Sequence, residues 1–285
     1  MKRSFIWYAA MCCLVLASCG NKSRQTVVDY TLDTDVADTL LPESDSLLFF
    51  EETSGNDEVL PHSADVLFDD FIFEFVRQKK IQLDRVHFPI PMVTHYTDTV
   101  WIEREKWRHE YLFLGQDYYT VLFNDVEQTE LAKDTELMHV DVERLYLATG
   151  QFKRFRFERI DGFWYMTQID INPLSDYPLY GFLTFYHRFV SDTDFEQQHL
   201  ATPLHYITTD PDDDFHMIEG ILDHSQWPAF KPQLPKNVLT NVRYGQQYDN
   251  PNRVVLVKQG ISNGMVDMLT FVCGEKGWLL HTYEN

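Results

Sequence analysis

Phe68 to Ile90 reads F-D-D-F-I-F-E-F-V, a polar segment, then H-F-P-I; Phe182 to Leu204 reads F-L-T-F-Y-H-R-F-V, a polar segment, then A-T-P-L. Each landmark of the first stretch returns 114 positions later: Phe68 as Phe182, Phe71 as Phe185, Phe75 as Phe189, Val76 as Val190, Pro89 as Pro203. A constant offset without a gap predicts two structural repeats. Within each copy the large apolar residues recur at three and four, which predicts a helix with a broad apolar face. The first helix is expected from Ser63, as N-cap, to about Asp84, and the second from about Leu179 to Val190. The prolines at 89 and 203 end the helical pattern.

Downstream of each helix the period changes to two. Strands are expected at Tyr118–Phe123, Met138–Ala148, Gln151–Arg159 and Phe163–Ile169, with tight turns at Thr149-Gly150 and Asp161-Gly162. A short helix over Glu103–Glu110 carries Trp107. In the second half, a short helix is expected over Asp194–Leu200. Asp210 to Asp214 reads as a turn capping the segment through Leu222. Strands follow near Val238–Gly245, Arg253–Gln259, Val266–Cys273 and Trp278–Thr282. Phe157 and Trp164 lie 114 positions before Phe271 and Trp278, so the offset holds at both ends of each half. One helix followed by an antiparallel meander, used twice, is an α+β pattern. The expected modules are 63–172 and 173–285.

The N-terminus reads as a targeting segment over residues 1–18. Lys2 and Arg3 precede an apolar run, Phe5 to Leu16, too short for a bilayer core of ~30 Å that needs ~20 helical residues. Leu16-Ala17-Ser18-Cys19 then resembles the lipobox of bacterial lipoproteins, which implies Cys19 as the lipid-attachment residue; an ordinary secretory signal or an uncleaved anchor is the alternative. Residues 19–62 read as an acidic flexible tether. Between Gly20 and Pro61 there are ten acidic side chains against Lys22 and Arg24, and few large apolar ones apart from Leu47 to Phe50. Of four cysteines, Cys12 and Cys13 leave with the signal and Cys19 carries lipid. Cys273, in register with Leu269 and Phe271, is left as a core thiol without a disulfide partner.

The formal net charge is −20. That argues against nucleic acid, which is bound largely by Lys and Arg on phosphates, and against adhesion to anionic lipid. The expected partners are therefore the membrane, through the N-terminal lipid, and a small ligand or an envelope protein.

The helix, proline break, Trp-bearing segment and sheet ending in turn-Trp are similar to the nuclear-transport-factor-2-like cone. With the lipobox and the paired F-x-x-x-F-V helices, the chain from Ser63 to Asn285 resembles a family of Bacteroidota lipoproteins built from two such modules in tandem. The resemblance implies two cones, each a long helix on a curved antiparallel sheet. Isomerases, dehydratases and non-enzymatic binding modules all occur in the wider superfamily, so an enzyme with a pocket in one module is the alternative to a binder. Surface-exposed lipoproteins of that phylum carry acidic residues after the lipidated Cys. Here Gly20-Asn21-Lys22-Ser23-Arg24 follows, which favours a periplasm-facing orientation.

The pocket implied by the resemblance lies between helix and sheet. Its candidate residues are Trp107, Tyr118, Tyr146, Tyr165, Trp227 and Tyr244, with Tyr119, Asp141 and Asp267 also on strands that can face inward. Arg154 and Arg156 share one face of the basic stretch Phe152–Arg159 and could receive an anion or an acidic partner. Asp210, Asp212 and Asp214 begin like a calcium loop, but Phe215 and Ile221 stand where Gly and Glu are required. The His residues lack zinc spacing. No metal, cofactor or catalytic residue is expected, since no nucleophile has a recognisable base.

Overall fold

The computed structural model describes residues 65–113, 116–261 and 263–285, which fall in one unit spanning Phe50–Asn285. The signal segment, Cys19, the tether and Ser63 lie outside the described residues.

The first Phe-rich stretch folds as α1 (Phe68–Arg77) and α2 (Lys79–Arg85), the second as α3 (Tyr180–Ser191) and α4 (Thr193–Gln198). The continuous helix expected through Asp84 is instead interrupted at Gln78, whose backbone is extended (φ −120°, ψ 113°). Asp192, 114 positions on, does the same between α3 and α4 and accepts the Phe195 N–H at 3.0 Å as a cap. The break redirects the chain so that Ile81 and Gln82 become buried. Both proline breaks, Phe88-Pro89 and Thr202-Pro203, are cis peptides.

Twelve strands lie among the described residues. They are β1 (Ile90–Thr94), β2 (Asp98–Ile102), β3 (Tyr118–Phe123), β4 (His139–Tyr146), β5 (Gln151–Ile160), β6 (Phe163–Pro173), β7 (Leu200–Asp210), β8 (Asp213–Leu222), β9 (Val238–Arg243), β10 (Arg253–Gly260), β11 (Val266–Gly274) and β12 (Gly277–Glu284). They form two six-stranded sheets, ordered β2-β1-β6-β5-β4-β9 and β8-β7-β12-β11-β10-β3. The two orders match position for position, with one exchange. The first sheet is completed by β9 from the second half, and the second sheet by β3 from the first. Both sheets are mixed rather than antiparallel, because β1 runs parallel to β6 and β7 parallel to β12. The expected turn at Asp210 to Asp214 narrows to Pro211-Asp212 between β7 and β8, and the segment through Leu222 is a strand. The short helix around Trp107 shrinks to one 3-10 turn, Arg104–Lys106, with Trp107 at its C-cap.

Each Phe face packs on one phenylalanine of its sheet. The Phe157 ring lies 5.3, 5.9 and 5.3 Å from Phe68, Phe71 and Phe75. Phe271 lies 5.3, 5.9 and 5.4 Å from Phe182, Phe185 and Phe189. Trp164 closes against Phe68 at 5.1 Å and Trp278 against Phe182 at 5.2 Å. Burying each such ring contributes ~1.5–3 kcal/mol, so this periodic stripe is the main local reason the helices dock. The exchange also mixes the cores. Val242, Tyr244, Val255 and Val257 join the first, whereas Leu122, Leu145, Leu147 and Phe152 join the second. Cys273 is a free thiol but only half-buried, less enclosed than its alternation with Leu269 and Phe271 implied. Among the described residues no helix is long and apolar enough to cross a membrane.

Candidate functional site

The space between helix and sheet, where the aromatic candidates were expected to line a pocket, is occupied by side chains. Phe68, Phe71, Phe75, Phe155 and Trp164 fill it in the first half, and Phe182, Tyr186, Phe189 and Trp227 in the second, each at least 98% buried. Trp107 donates its Nε1–H to Gln82 Oε1 at 3.1 Å. Trp227 does the same to Glu196 Oε1 at 2.9 Å, and Glu196 is the residue 114 after Gln82. Both indoles thus close their N–H on the helix beside them, as buried tryptophans usually do. Tyr118, Tyr146 and Tyr165 are half-buried. Their rings lie 4.9 Å from Lys258 Nζ, 5.4 Å from the Arg144 guanidinium and 5.6 Å from that of Arg85. Burial raises the Tyr118 pKa, and Asp117 adds to the effect. The six candidates are therefore dispersed among different partners rather than gathered on one cavity.

Tyr244 has the most polar setting. Its hydroxyl donates to Asp69 Oδ1 at 2.6 Å, and Tyr119 hydrogen-bonds the same carboxylate. Burial raises the pKa of Asp69, which the Tyr244 hydrogen bond partly offsets. Burial likewise pushes both phenols far above their ordinary range.

The outer face of the first sheet is a lattice of neutralised charge. Arg154 donates Nε–H to Glu143 Oε1 at 2.8 Å, and Arg156 to Asp170 Oδ2 at 2.6 Å. Gln168 donates to the other oxygen of Asp170 at 2.6 Å. His139 Nε2 stands 3.0 Å from Asp141, whose hydrogen bond raises the imidazole pKa. Both arginines of the expected anion patch are thus already held by carboxylates. Glu143, fully buried, also receives the Tyr177 hydroxyl at 2.5 Å and Asn241 Nδ2 at 3.0 Å. Several donors are what a buried carboxylate needs, since desolvation costs several kcal/mol per ion. Burial lifts the Tyr177 pKa well up, and that of Tyr248 to about 12, with the Glu143 charge adding in both.

The corresponding face of the second sheet is different. There a groove of about 370 Å³ is lined by Arg253 from β10, Thr270 from β11, His281, Thr282 and Glu284 from β12, and His205 from β7. Val126, Ile207, Met268 and Val272 supply its apolar surface. Counting 114 positions, Arg253 stands for His139, Thr270 for Arg156, Thr282 for Gln168, Glu284 for Asp170 and Met268 for Arg154. Thr270 pairs with Thr282, which pairs with His205, so these three share one rung across the sheet. A bulge between Leu280 and Thr282 turns both His281 and Thr282 to the groove side, which strict alternation would forbid. Among the described residues the side chains of His205, Thr270, His281, Thr282 and Glu284 form no hydrogen bond within the protein. Arg253 Nε is 3.3 Å from Asp125 Oδ1, and that buried N–H has no aligned acceptor. Burial lowers the His281 pKa, with His205 and Arg253 lowering it further.

None of these residues stood out in the sequence. The signal available was a comparison of outward positions between halves: charged pairs in the first copy become Thr, Met and His in the second. Among the described residues no three His, Cys, Asp or Glu are placed to hold a metal ion.

Comparison with known proteins agrees with the architecture. The family model "Domain of unknown function (DUF4348)" matches residues 50–285. Among solved structures, the crystal structure of an NTF2-like protein from Bacteroides fragilis NCTC 9343 is similar at 40% identity and a TM-score of 0.74, over 78% of this chain and 96% of that one. No curated protein matches. Mixed six-stranded sheets under Phe-faced helices are thus an NTF2-like α+β fold, and the chain belongs to the DUF4348 family.

Proposed function

We propose that the protein is a non-enzymatic lipoprotein of the cell envelope that binds a small ligand or a protein partner through two tandem cone-like modules, 63–172 and 173–285. Cys19 carries the lipid, and the acidic tether holds the folded part away from the membrane on the periplasmic side. One observation carries the binding reading: the helix–sheet spaces are filled by aromatic side chains, while in the outer groove of the second sheet five polar side chains have no hydrogen-bond partner among the described residues. Polar groups that the fold leaves open, over an apolar floor, are the usual composition of a ligand site, and 370 Å³ lies near the low end of the ~300–1,000 Å³ range for such sites. The test is a thermal-shift and pull-down survey of the full-length chain in detergent, with small envelope metabolites, glycans and envelope extract. Thr270→Trp, which fills the groove, should abolish the responses. A survey with no response that depends on the groove would remove the reading's support.

An isomerase-, dehydratase- or hydrolase-type activity is the second reading, and Asp267 favours it. Tyr283 donates its hydroxyl to Asp267 Oδ1 at 2.8 Å and Lys258 Nζ stands 3.1 Å from Oδ2, all three buried. A carboxylate, a phenol and an ammonium are the groups proton transfer requires. Their mutual pairing supports a structural role first, and turnover lost in Asp267→Asn with unchanged stability would reverse that order.

A further inference from the structure

The groove residues are arranged by charge. Arg253 enters the lining from β10, His281 from the bulge of β12 and His205 from β7, and among the described lining residues Glu284 is the single carboxylate. The register places Glu284 level with Met268 and Ile207, one step beyond the rung of Thr270, Thr282 and His205. Arg253 pairs with Val272 on the opposite side of that rung. The order along the groove is therefore Arg253, then the rung of two hydroxyls and His205, then a carboxylate, over an apolar floor of Ile207, Met268 and Val272.

We propose that this groove binds a small carboxylate-bearing molecule with a hydrogen-bond donor at its far end, the carboxylate lying between Arg253 and His281 and the donor on Glu284. The inference rests on the binding reading above and specifies its ligand. Three observations converge on it. The Arg253 side chain is 38% exposed although its Nε–H is buried beside Asp125, so an added carboxylate meets the guanidinium at its terminal nitrogens. The equivalent face of the first sheet contains its own carboxylates, Asp141, Glu143 and Asp170, against its bases. In the second sheet two of these become Val255 and Val257, so Arg253, in the place of His139, lacks the carboxylate equivalent to Asp141 and meets Asp125 instead. Finally, the protein is strongly acidic, at −20, so a groove lined by Arg253, His281 and His205 makes a local exception that selects anions of small size. Burial chiefly depresses the His281 pKa, with His205 and Arg253 adding to it, and a bound carboxylate would oppose that shift.

The far-end donor has two chemical sources, a hydroxyl or an ammonium. The experiment is isothermal titration of the full-length chain in detergent with D-glucuronate, L-alanine and D-glucose, at pH 6 in two buffers of different ionisation heat. At least one of the two carboxylates is expected to bind at least tenfold more tightly than D-glucose. Glucuronate alone identifies a hydroxyl donor; alanine alone identifies an ammonium. Binding should take up a fraction of a proton, seen as a buffer-dependent enthalpy that His281→Gln removes. Arg253→Gln should weaken it tenfold or more, whereas Asp125→Asn, which keeps the guanidinium, should retain it. Equal affinity for D-glucose, no response to either carboxylate, or binding indifferent to both Arg253→Gln and His281→Gln overturns the proposal. If envelope extract still yields a partner that Thr270→Trp abolishes, the binding reading survives that failure.

Discussion

Thr120 donates its backbone N–H to Thr240 Oγ1 at 2.7 Å, and its own hydroxyl donates to the Thr240 carbonyl. Thr240 returns a longer bond, 3.4 Å, to the Thr120 carbonyl. The two threonines sit at equivalent places in β3 and β9, the strands that the halves exchange, and both are buried. Leu122 N–H adds a bond to Asn241 Oδ1 at 2.8 Å. The crossing is thus sealed by side chains where neither strand can form a ladder with the other.

Each sheet needs a strand from the other half, so the halves should not unfold separately. Urea denaturation followed by near-ultraviolet circular dichroism and by tryptophan fluorescence should give coincident single transitions. Trp107 and Trp164 report one core, Trp227 and Trp278 the other. Two resolved transitions would contradict the coupling. Thr120→Val with Thr240→Val should cost about 1–3 kcal/mol, because both hydroxyls are buried and bonded.

Glu143 is the residue whose loss should be felt most. Glu143→Val leaves Arg154 without its nearest carboxylate and should destabilise the fold by about 3–5 kcal/mol. The second half has Val257 and Met268 at the corresponding places. Adding Arg154→Met to Glu143→Val copies that solution and should recover most of the loss. Chemical denaturation of the single and double variants decides it; strict additivity would show that the pair is not a unit.

Asp69 gives a pH dependence of known sign. Its folded pKa is raised above the ordinary 3.8, chiefly by burial. The stability it contributes is complete below that value and is lost as pH rises through the folded pKa, because the charged form is the one the site disfavours. Asp69→Asn removes this dependence. The stability of the variant relative to the parent should therefore rise between about pH 4 and pH 7. A flat difference over that interval would remove Asp69 from the account. Tyr244→Phe should cost about 1–2 kcal/mol at neutral pH by deleting the bond to its carboxylate.

Cys19 is expected to carry lipid. Growth with an alkyne-tagged fatty acid should label the protein, and Cys19→Ala should abolish the label and move the chain from the membrane to the soluble fraction. Continued labelling of the variant would place the acyl chain elsewhere. A single acyl chain is marginal for anchoring, so the labelled form should carry two or more.

The sequence disclosed faces better than partners. Period three-to-four named Phe68, Phe71 and Phe75 as a docking stripe, and period two named the strands that receive them, because burial is written directly into spacing. Which strand lies beside which is not: Tyr118–Phe123 looks the same whether it pairs with β4 or with β10. The aromatic pocket candidates failed to converge for a related reason. A large buried ring marks a filled space as readily as a lined one, and Trp107 and Trp227 prove to be plugs satisfied by Gln82 and Glu196. The groove escaped notice because its residues come from three strands and the start of a fourth, and because His281 reaches it only through a bulge that alternation does not encode. The helix break at Gln78 had no Pro or Gly to announce it.

The strand exchange also fixes an order of events as the chain is made. The first sheet has five of its strands by Pro173, but its β4 edge stays bare until Val238–Arg243 has been synthesised, while β3 waits, unmatched, for β10. For most of its synthesis the leading half thus displays two unfinished hydrogen-bonding edges, the kind that recruit strands from other chains. Both are closed by the last third of the molecule, so completion of one half is a checkpoint for the other.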